Sequence, residues 1–408
     1  MARSHRLAQQ ALSACLAVAL LAIPAAQNRA PARVVAVADV HGAYQQLVAL
    51  LQRARLIDAR LRWIGGSASL VQTGDVLDRG ARSRECLDLL MALERQASNK
   101  GGAVVPLLGN HEVMNVMGEL QYVTPDIYRS FATGSSEKRR QRAYQDYLKF
   151  LAAHAGHGHA AVPPGDDAER AKWMDEHPPG FVEYRDAFGP NGKYGRWLRT
   201  HHAVVQIGDG VFVHGGLSPA FTILGIRQLD ERVTAELAVF DSIWQALVDG
   251  KVIWRYMTLP EAVKFVGEEA AWLQAGGLAA APRVGVAMQR LLDLDRWMVA
   301  VSPDGPLWYR GLAETPEDTL IDAVTAMLAR LHVRYIVVGH TPQSNREIVP
   351  RFGSRVFLLD TGMLTQAYQG RATALEIQNG RFAALSADMD AVELPAPPTA
   401  TSASPVVR

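Results

Sequence analysis

Five short apolar runs, each stopped by glycine and a cluster of polar side chains, restrict this chain more than any other feature. Val34–Ala38 runs into Asp39-Val40-His41-Gly42, Ser69–Thr73 into Gly74-Asp75-Val76-Leu77-Asp78-Arg79-Gly80, and Ala103–Leu108 into Gly109-Asn110-His111-Glu112. Val211–Val213 runs into His214-Gly215-Gly216, and Tyr335–Val338 into Gly339-His340-Thr341. Apolar runs of this length bounded by turn residues read as buried strands. Between the first three, leucines at helical spacing predict helices over Tyr44–Arg55 and Arg84–Gln96. Strand and helix in alternation imply an α/β fold with a parallel sheet, whose sites gather on loops at the carboxyl ends of strands. The polar clusters lie on such loops.

Composition narrows the setting. Of 408 residues, 49% are hydrophobic and 20% charged, so the chain can bury a sizeable core. A formal net charge of +1 gives no global attraction for nucleic acid or an anionic membrane. Arg3, His5 and Arg6, an apolar stretch over Ala11–Ile23 and then Pro24-Ala25-Ala26 read as a secretory leader over residues 1–26. The apolar stretch is shorter than the ~20 residues of a spanning helix. This predicts a periplasmic or secreted protein with no stable membrane anchor after cleavage. Cys86 is then the one remaining cysteine, which excludes an internal disulfide.

One catalytic domain is expected over residues 33–390, with insertions at 113–199 and 219–331. The first is polar, helical and loop-like, an insertion over the site mouth or a lid, and its His154, His157 and His159 read as a flexible surface loop rather than a metal site. A hairpin over Ala203–Ile207 and Val211–Val213 follows. The second insertion is a helical cap, with helices over Pro260–Leu273 and Gly285–Val299. Strands return at Tyr335–Val338, Arg355–Leu359, Ala372–Ile377 and Arg381–Leu385, and residues 394–408 read as a disordered tail.

The clusters together suit a dinuclear metal centre, which needs oxygen and nitrogen donors from several loops and one carboxylate between two cations. Asp39, His41 and Asp75 supply one cation, and Asp75, Asn110, His214 and His340 the other, with Asp75 shared. Alone, His214 or His340 reads as a satisfied buried histidine, and only the company of the other motifs favours a ligand. Arg79 offers a fork for two phosphoryl oxygens. Arg310, beside Trp308, is a second candidate, although an arginine in that setting, taken alone, more often serves packing or a salt bridge. His111 can act as an acid, with Asp78 holding its imidazole protonated.

These motifs, in this order, resemble those of the phosphoprotein-phosphatase branch of the calcineurin-like metallophosphoesterases. Tyr194-Gly-Arg-Trp-Leu198, Trp308-Tyr-Arg310 and Leu359-Asp-Thr-Gly-Met363 make the chain most similar to the bacterial Shewanella-like protein phosphatases. The resemblance implies a four-layer αββα sandwich with helical insertions and two divalent transition-metal ions (Mn, Fe or Zn). It implies hydrolysis of phosphorylated protein or peptide, on Ser/Thr or Tyr, by attack of a metal-bridging hydroxide. It also implies metal ligation by Asp39, His41, Asp75, Asn110, His214 and His340, phosphate binding by Arg79, Arg310 and Asn110, and an acid role for His111 with Asp78. Ala38 replaces the usual glycine, and Asp360-Thr361-Gly362 stands where the eukaryotic Ser/Thr enzymes carry Ser-Ala-Pro-Asn-Tyr, so their inhibitor and substrate rules do not transfer. The rival readings are a hydrolase of dinucleoside polyphosphates or other small phosphoesters, and a phosphate-binding module without turnover.

Overall fold

The computed structural model describes residues 32–157, 159 and 166–399, so residues 1–26, where a leader is expected, and residues 400–408 of the expected tail lie outside it. Eleven strands form among these residues: β1 (Arg33–Val37), β2 (Ser69–Gln72), β3 (Ala103–Pro106), β4 (Val204–Ile207), β5 (Gly210–Val213), β6 (Tyr335–Val338), β7 (Val349–Arg351), β8 (Val356–Leu358), β9 (Thr373–Gln378), β10 (Arg381–Ser386) and β11 (Val392–Leu394). One sheet has the order β11-β10-β9-β1-β2-β3 and the other β4-β5-β6-β8-β7. β1, β2 and β3 are parallel, as are β5, β6 and β8.

Alternation along the strands explains the layering. Val35 and Val37 face α1 (Tyr44–Arg53) and α2 (Ser83–Ser98), packing with Leu47, Leu50 and Leu90. Val34 and Ala36 face the other way, into a second core with Phe212, Val337 and Phe357 of the opposite sheet. On that sheet's far side, Ile336 and Val338 pack with Val324 and Leu328 of the helix at 317–331. The result is helix, sheet, sheet, helix.

The first insertion carries α3 (Asn110–Met117), α4 (Pro125–Phe131), α5 (Ser136–Ala153), α6 (Asp167–Glu176), α7 (Phe181–Phe188) and α8 (Lys193–Leu198). Its ends meet where Leu108 N–H donates to the His202 carbonyl at 2.8 Å. It is more than the expected polar lid, because Tyr128, Phe131, Tyr184, Phe188 and Tyr194 form an aromatic core of its own. The second insertion begins with α9 (Gly225–Asp249), α10 (Leu259–Ala275) and α11 (Pro282–Leu292). The helix expected to reach Val299 stops at Leu292, since Asp293 leaves the helical region at φ −106°, ψ 25°. The expected loose histidine loop is tied to α10: His157 stacks on Trp272 at 3.7 Å and His159 on Phe265 at 3.6 Å.

β7 and β11 are edge strands that escape prediction. Each has three residues, and β7 contains Pro350, which only an edge accommodates. Past β11, Arg334 donates to the carbonyls of Pro397 and Pro398, so the tail read as disordered from residue 394 is held against the domain at these residues. Among the described residues, no helix is long and apolar enough to cross a membrane.

Candidate metal centre and active site

The candidate residues leave the carboxyl ends of β1, β2, β3, β5 and β6 in tight turns. His41, Asp75, Asp78, Arg79 and His340 take left-handed backbone, with φ of +46°, +59°, +69°, +67° and +65°. Each such non-glycine conformation costs on the order of 1–3 kcal/mol and persists only where its surroundings over-determine it. Glu112 does this for the turn at Asp75. Its buried carboxylate accepts the N–H of Asp75 (2.6 Å), Val76 (2.9 Å), Leu77 (3.2 Å) and Gly109 (2.9 Å). Gly74, at φ +100°, lets two loops touch, since a Cβ there would lie 2.5 Å from Gly109 N. Burial and the Asp75 charge push the Glu112 carboxyl up to about 7, against the pull of its N–H donors. Glu112→Gln replaces an acceptor oxygen with an amide NH2, itself a donor, facing those donors. It should lower stability by about 1–3 kcal/mol, read as a fall in the midpoint of thermal unfolding.

The six expected metal ligands converge. His41 Nδ1 donates to the Leu77 carbonyl at 2.7 Å and His214 Nδ1 to the Thr73 carbonyl at 2.9 Å, which leaves both Nε2 lone pairs facing the cluster. His41 Nε2 lies 3.9 Å from Asp39 Oδ2 and 3.8 Å from Asp75 Oδ2. His214 Nε2 lies 3.3 Å from Asp75 Oδ2, 2.9 Å from Asn110 Oδ1 and 3.1 Å from His340 Nδ1. Asp75 therefore stands between the two halves. Asp39 gives Oδ1 to the His340 N–H at 2.9 Å, keeping Oδ2 for the cluster.

Lone pairs crowded in this way repel unless a proton or cation lies among them. One imidazole proton cannot serve three acceptors around His214, and His340 Nε2 is buried without a partner. The donor set, neutral nitrogens with carboxylate and amide oxygens, fits divalent transition metals. Burial depresses His41 to about 3 and, with His214 beside it, His340 to about 2, so both rings are uncharged near neutrality. Burial raises Asp39 well above the carboxylate range, helped by Asp360 and Asp75. For Asp75 burial also pushes upward, but His214, His111 and His41 outweigh it and hold the group low.

Beside the cluster, His111 Nδ1 pairs with Asp78 Oδ2 at 2.6 Å. Asn115 Nδ2 donates to Asp78 Oδ1 at 2.9 Å, and Tyr184 Oη donates to Asn115 Oδ1 at 2.5 Å. Burial works against a charged His111, yet Asp75 and Asp78 outweigh it and raise its pKa. His111 Nε2 lies 3.8 Å from Asp75 Oδ2, close enough to His41 and Asp75 that position alone would also permit ligation. A carboxylate partner on Nδ1 favours the protonated ring, whereas the carbonyl partners of His41 and His214 suit neutral ligands.

Arg79 reaches the same edge, with Nη2 at 3.3 Å from His111 Nε2. Its guanidinium lies between the rings of Tyr122 and Tyr368, 5.1 and 5.3 Å from their centroids, and Nη1 donates to Tyr368 Oη. Arg310 sits at the rim, where Nη1 donates to the His340 carbonyl (2.8 Å) and Thr341 Oγ1 (3.1 Å). Glu112, Asn115, Tyr368 and Asp360 are the members that sequence reasoning gave no role. Asn115 had a usable signal, since it lies four residues after His111 on a helix.

Residues 32–344 match the calcineurin-like phosphoesterase family. The chain is 27% identical over 357 residues to an uncharacterised protein of Schizosaccharomyces pombe, covering 86% of this chain and 79% of that one. It is 32% identical over 207 residues to Shewanella-like protein phosphatase 2 of Arabidopsis thaliana, covering 50% of this chain and 51% of that relative. Its fold is similar to a solved cold-active protein tyrosine phosphatase, with TM-score 0.55 and 23% identity over 89% of this chain and 78% of the other. With the family match extending over well more than half of its residues, the chain belongs to the calcineurin-like phosphoesterases, metal-dependent hydrolases of phosphate esters.

Proposed function

We propose that the protein removes phosphate from Ser/Thr or Tyr side chains of phosphorylated proteins or peptides, using two divalent ions of Mn, Fe or Zn. The observation that carries this reading is the junction of the Asp75 cluster with the His111–Asp78 pair and Arg79. Cations held by Asp39, His41 and Asp75, and by Asp75, Asn110, His214 and His340, would supply charge neutralisation at the phosphoryl group and a water of lowered pKa. Arg79 forks two phosphoryl oxygens once its Nη1 exchanges Tyr368 Oη for substrate. Arg310 and Asn110 complete the phosphate contacts. As the bond from phosphorus to the leaving oxygen breaks, His111 gives its Nε2 proton to that oxygen, and Asp78 steadies the ring. The protein-phosphatase name of the Arabidopsis relative supports a phosphoprotein substrate. The leader at residues 1–26 supports action in the periplasm or outside the cell.

Initial rates on a phosphotyrosine peptide, a phosphoserine peptide and a dinucleoside tetraphosphate test the assignment. Phosphopeptide turnover should vanish on chelation and return with added Mn, Fe or Zn. Strong preference for the nucleotide would replace the protein-phosphatase reading. Phosphate binding without hydrolysis of any aryl phosphate by the metal-loaded protein would leave a binding module.

A further inference from the structure

Arg185, on α7, lies at the far end of α3 from the metal centre. Its guanidinium packs against Gly118, the left-handed residue that ends α3, where a Cβ would come within 2.9 Å of Arg185 Cζ. The eight residues of α3 separate it from Asn110 and His111 by roughly 12 Å. It has one hydrogen bond, from Nη2 to the Met257 carbonyl at 3.1 Å. Nε is buried and unpartnered, and no carboxylate pairs with this guanidinium among the described residues.

The neighbouring acids are already engaged. Asp186 accepts from Arg139 (2.5 Å), Arg255 (3.2 Å) and Tyr256 Oη (3.2 Å). Asp241 accepts from Nε and Nη2 of Arg199, each at 2.7 Å, and Glu261 caps α10 by accepting Thr258 N–H at 2.7 Å. The carbonyls ending α3 attract a cation, but a helix end compensates far less than a paired anion does for an ion taken out of water. Burial accordingly lowers the pKa of this guanidinium.

Arg185 borders a cavity of about 530 Å³ between the two insertions. Trp244, Phe240 and Tyr256 supply its aromatic wall, and Arg185 Cζ stands 5.7 Å from the Trp244 ring centroid. The charged lining is Arg185, Arg199 and Arg255 against Asp186 and Asp241, which leaves one positive charge over. The volume is in the range of small-molecule sites, and an aromatic wall with one unpaired fork selects an anion that carries a flat apolar body.

We propose that this cavity is a second ligand site, separate from the metal centre, for a small organic oxyanion whose carboxylate or phosphonate-like head is forked by Arg185 and whose body lies on Trp244. The proposal does not depend on the phosphatase assignment.

The test is calorimetric titration of the metal-loaded enzyme, in saturating inorganic phosphate to occupy the catalytic centre, with 2-naphthoate, 2-naphthylphosphonate and neutral 2-naphthamide. One molecule of either anion should bind per chain, and the amide should bind at least tenfold more weakly. Arg185→Gln should weaken the anions by about 10- to 100-fold, and Trp244→Leu should weaken the anions and the amide alike. Arg185→Lys keeps charge without the fork and supplies the same comparison if the glutamine variant does not fold. Equal affinity for amide and carboxylate, anion binding unchanged in both the Arg185 and Trp244 variants, or no anion binding with phosphate present would each overturn the proposal.

Discussion

Asp75→Asn should fold normally yet lose phosphate-ester hydrolysis by on the order of 10³-fold, with tightly held metal falling below two ions per chain. Asparagine tolerates the left-handed backbone of this position, φ +59°, and leaves its N–H on Glu112. What disappears is the charge. Oδ2 of Asp75 is the oxygen nearest both halves of the cluster, 3.3 Å from His214 Nε2 and 3.8 Å from His41 Nε2, so a neutral amide weakens both cation positions together. Oδ1 accepts the His111 N–H at 3.0 Å, which ties the same carboxylate to the acid. Elemental analysis and steady-state rates on 4-nitrophenyl phosphate check this. Two retained ions with near-normal turnover would mean that Asp75 does not join the halves.

The second large effect concerns the proton. His111→Gln and Asp78→Asn should each cost about 10²- to 10⁴-fold on a phosphoserine peptide and far less on 4-nitrophenyl phosphate, whose leaving group departs without a proton. The double variant should be no worse than the poorer single one, because the two side chains act as a unit across a 2.6 Å contact. An equal loss on both substrates, accompanied by loss of metal from His111→Gln, would instead make His111 a ligand alongside His41 and Asp75.

The strand-end motifs were legible because burial on both faces forces continuous apolar runs, and the polar residues that stop them stand out. The alternation of Val34 and Ala36 with Val35 and Val37 allows a double-sided sheet, yet only tertiary packing reveals that its second face meets Phe212 and Phe357. The core of the first insertion was hidden because Tyr128, Phe131, Tyr184, Phe188 and Tyr194 are spread over three helices whose charged faces dominate the local composition. Tyr368 was out of reach for a different reason. It ends a single helical turn at 365–368, which carries no periodic pattern, and only the fold brings it to Arg79. The break at Asp293 was missed because apolar spacing continues across it.

The left-handed turns at His41, Asp75, Asp78, Arg79 and His340 behave as wound springs, the one at Asp75 latched by Glu112 and all of them by whatever occupies the centre. Taking the cations away removes one latch while both sheets keep their packing. Stripped enzyme should therefore exchange backbone amides first at residues 41, 75–79 and 340, ahead of any strand, and refilling should quiet the same seven positions together.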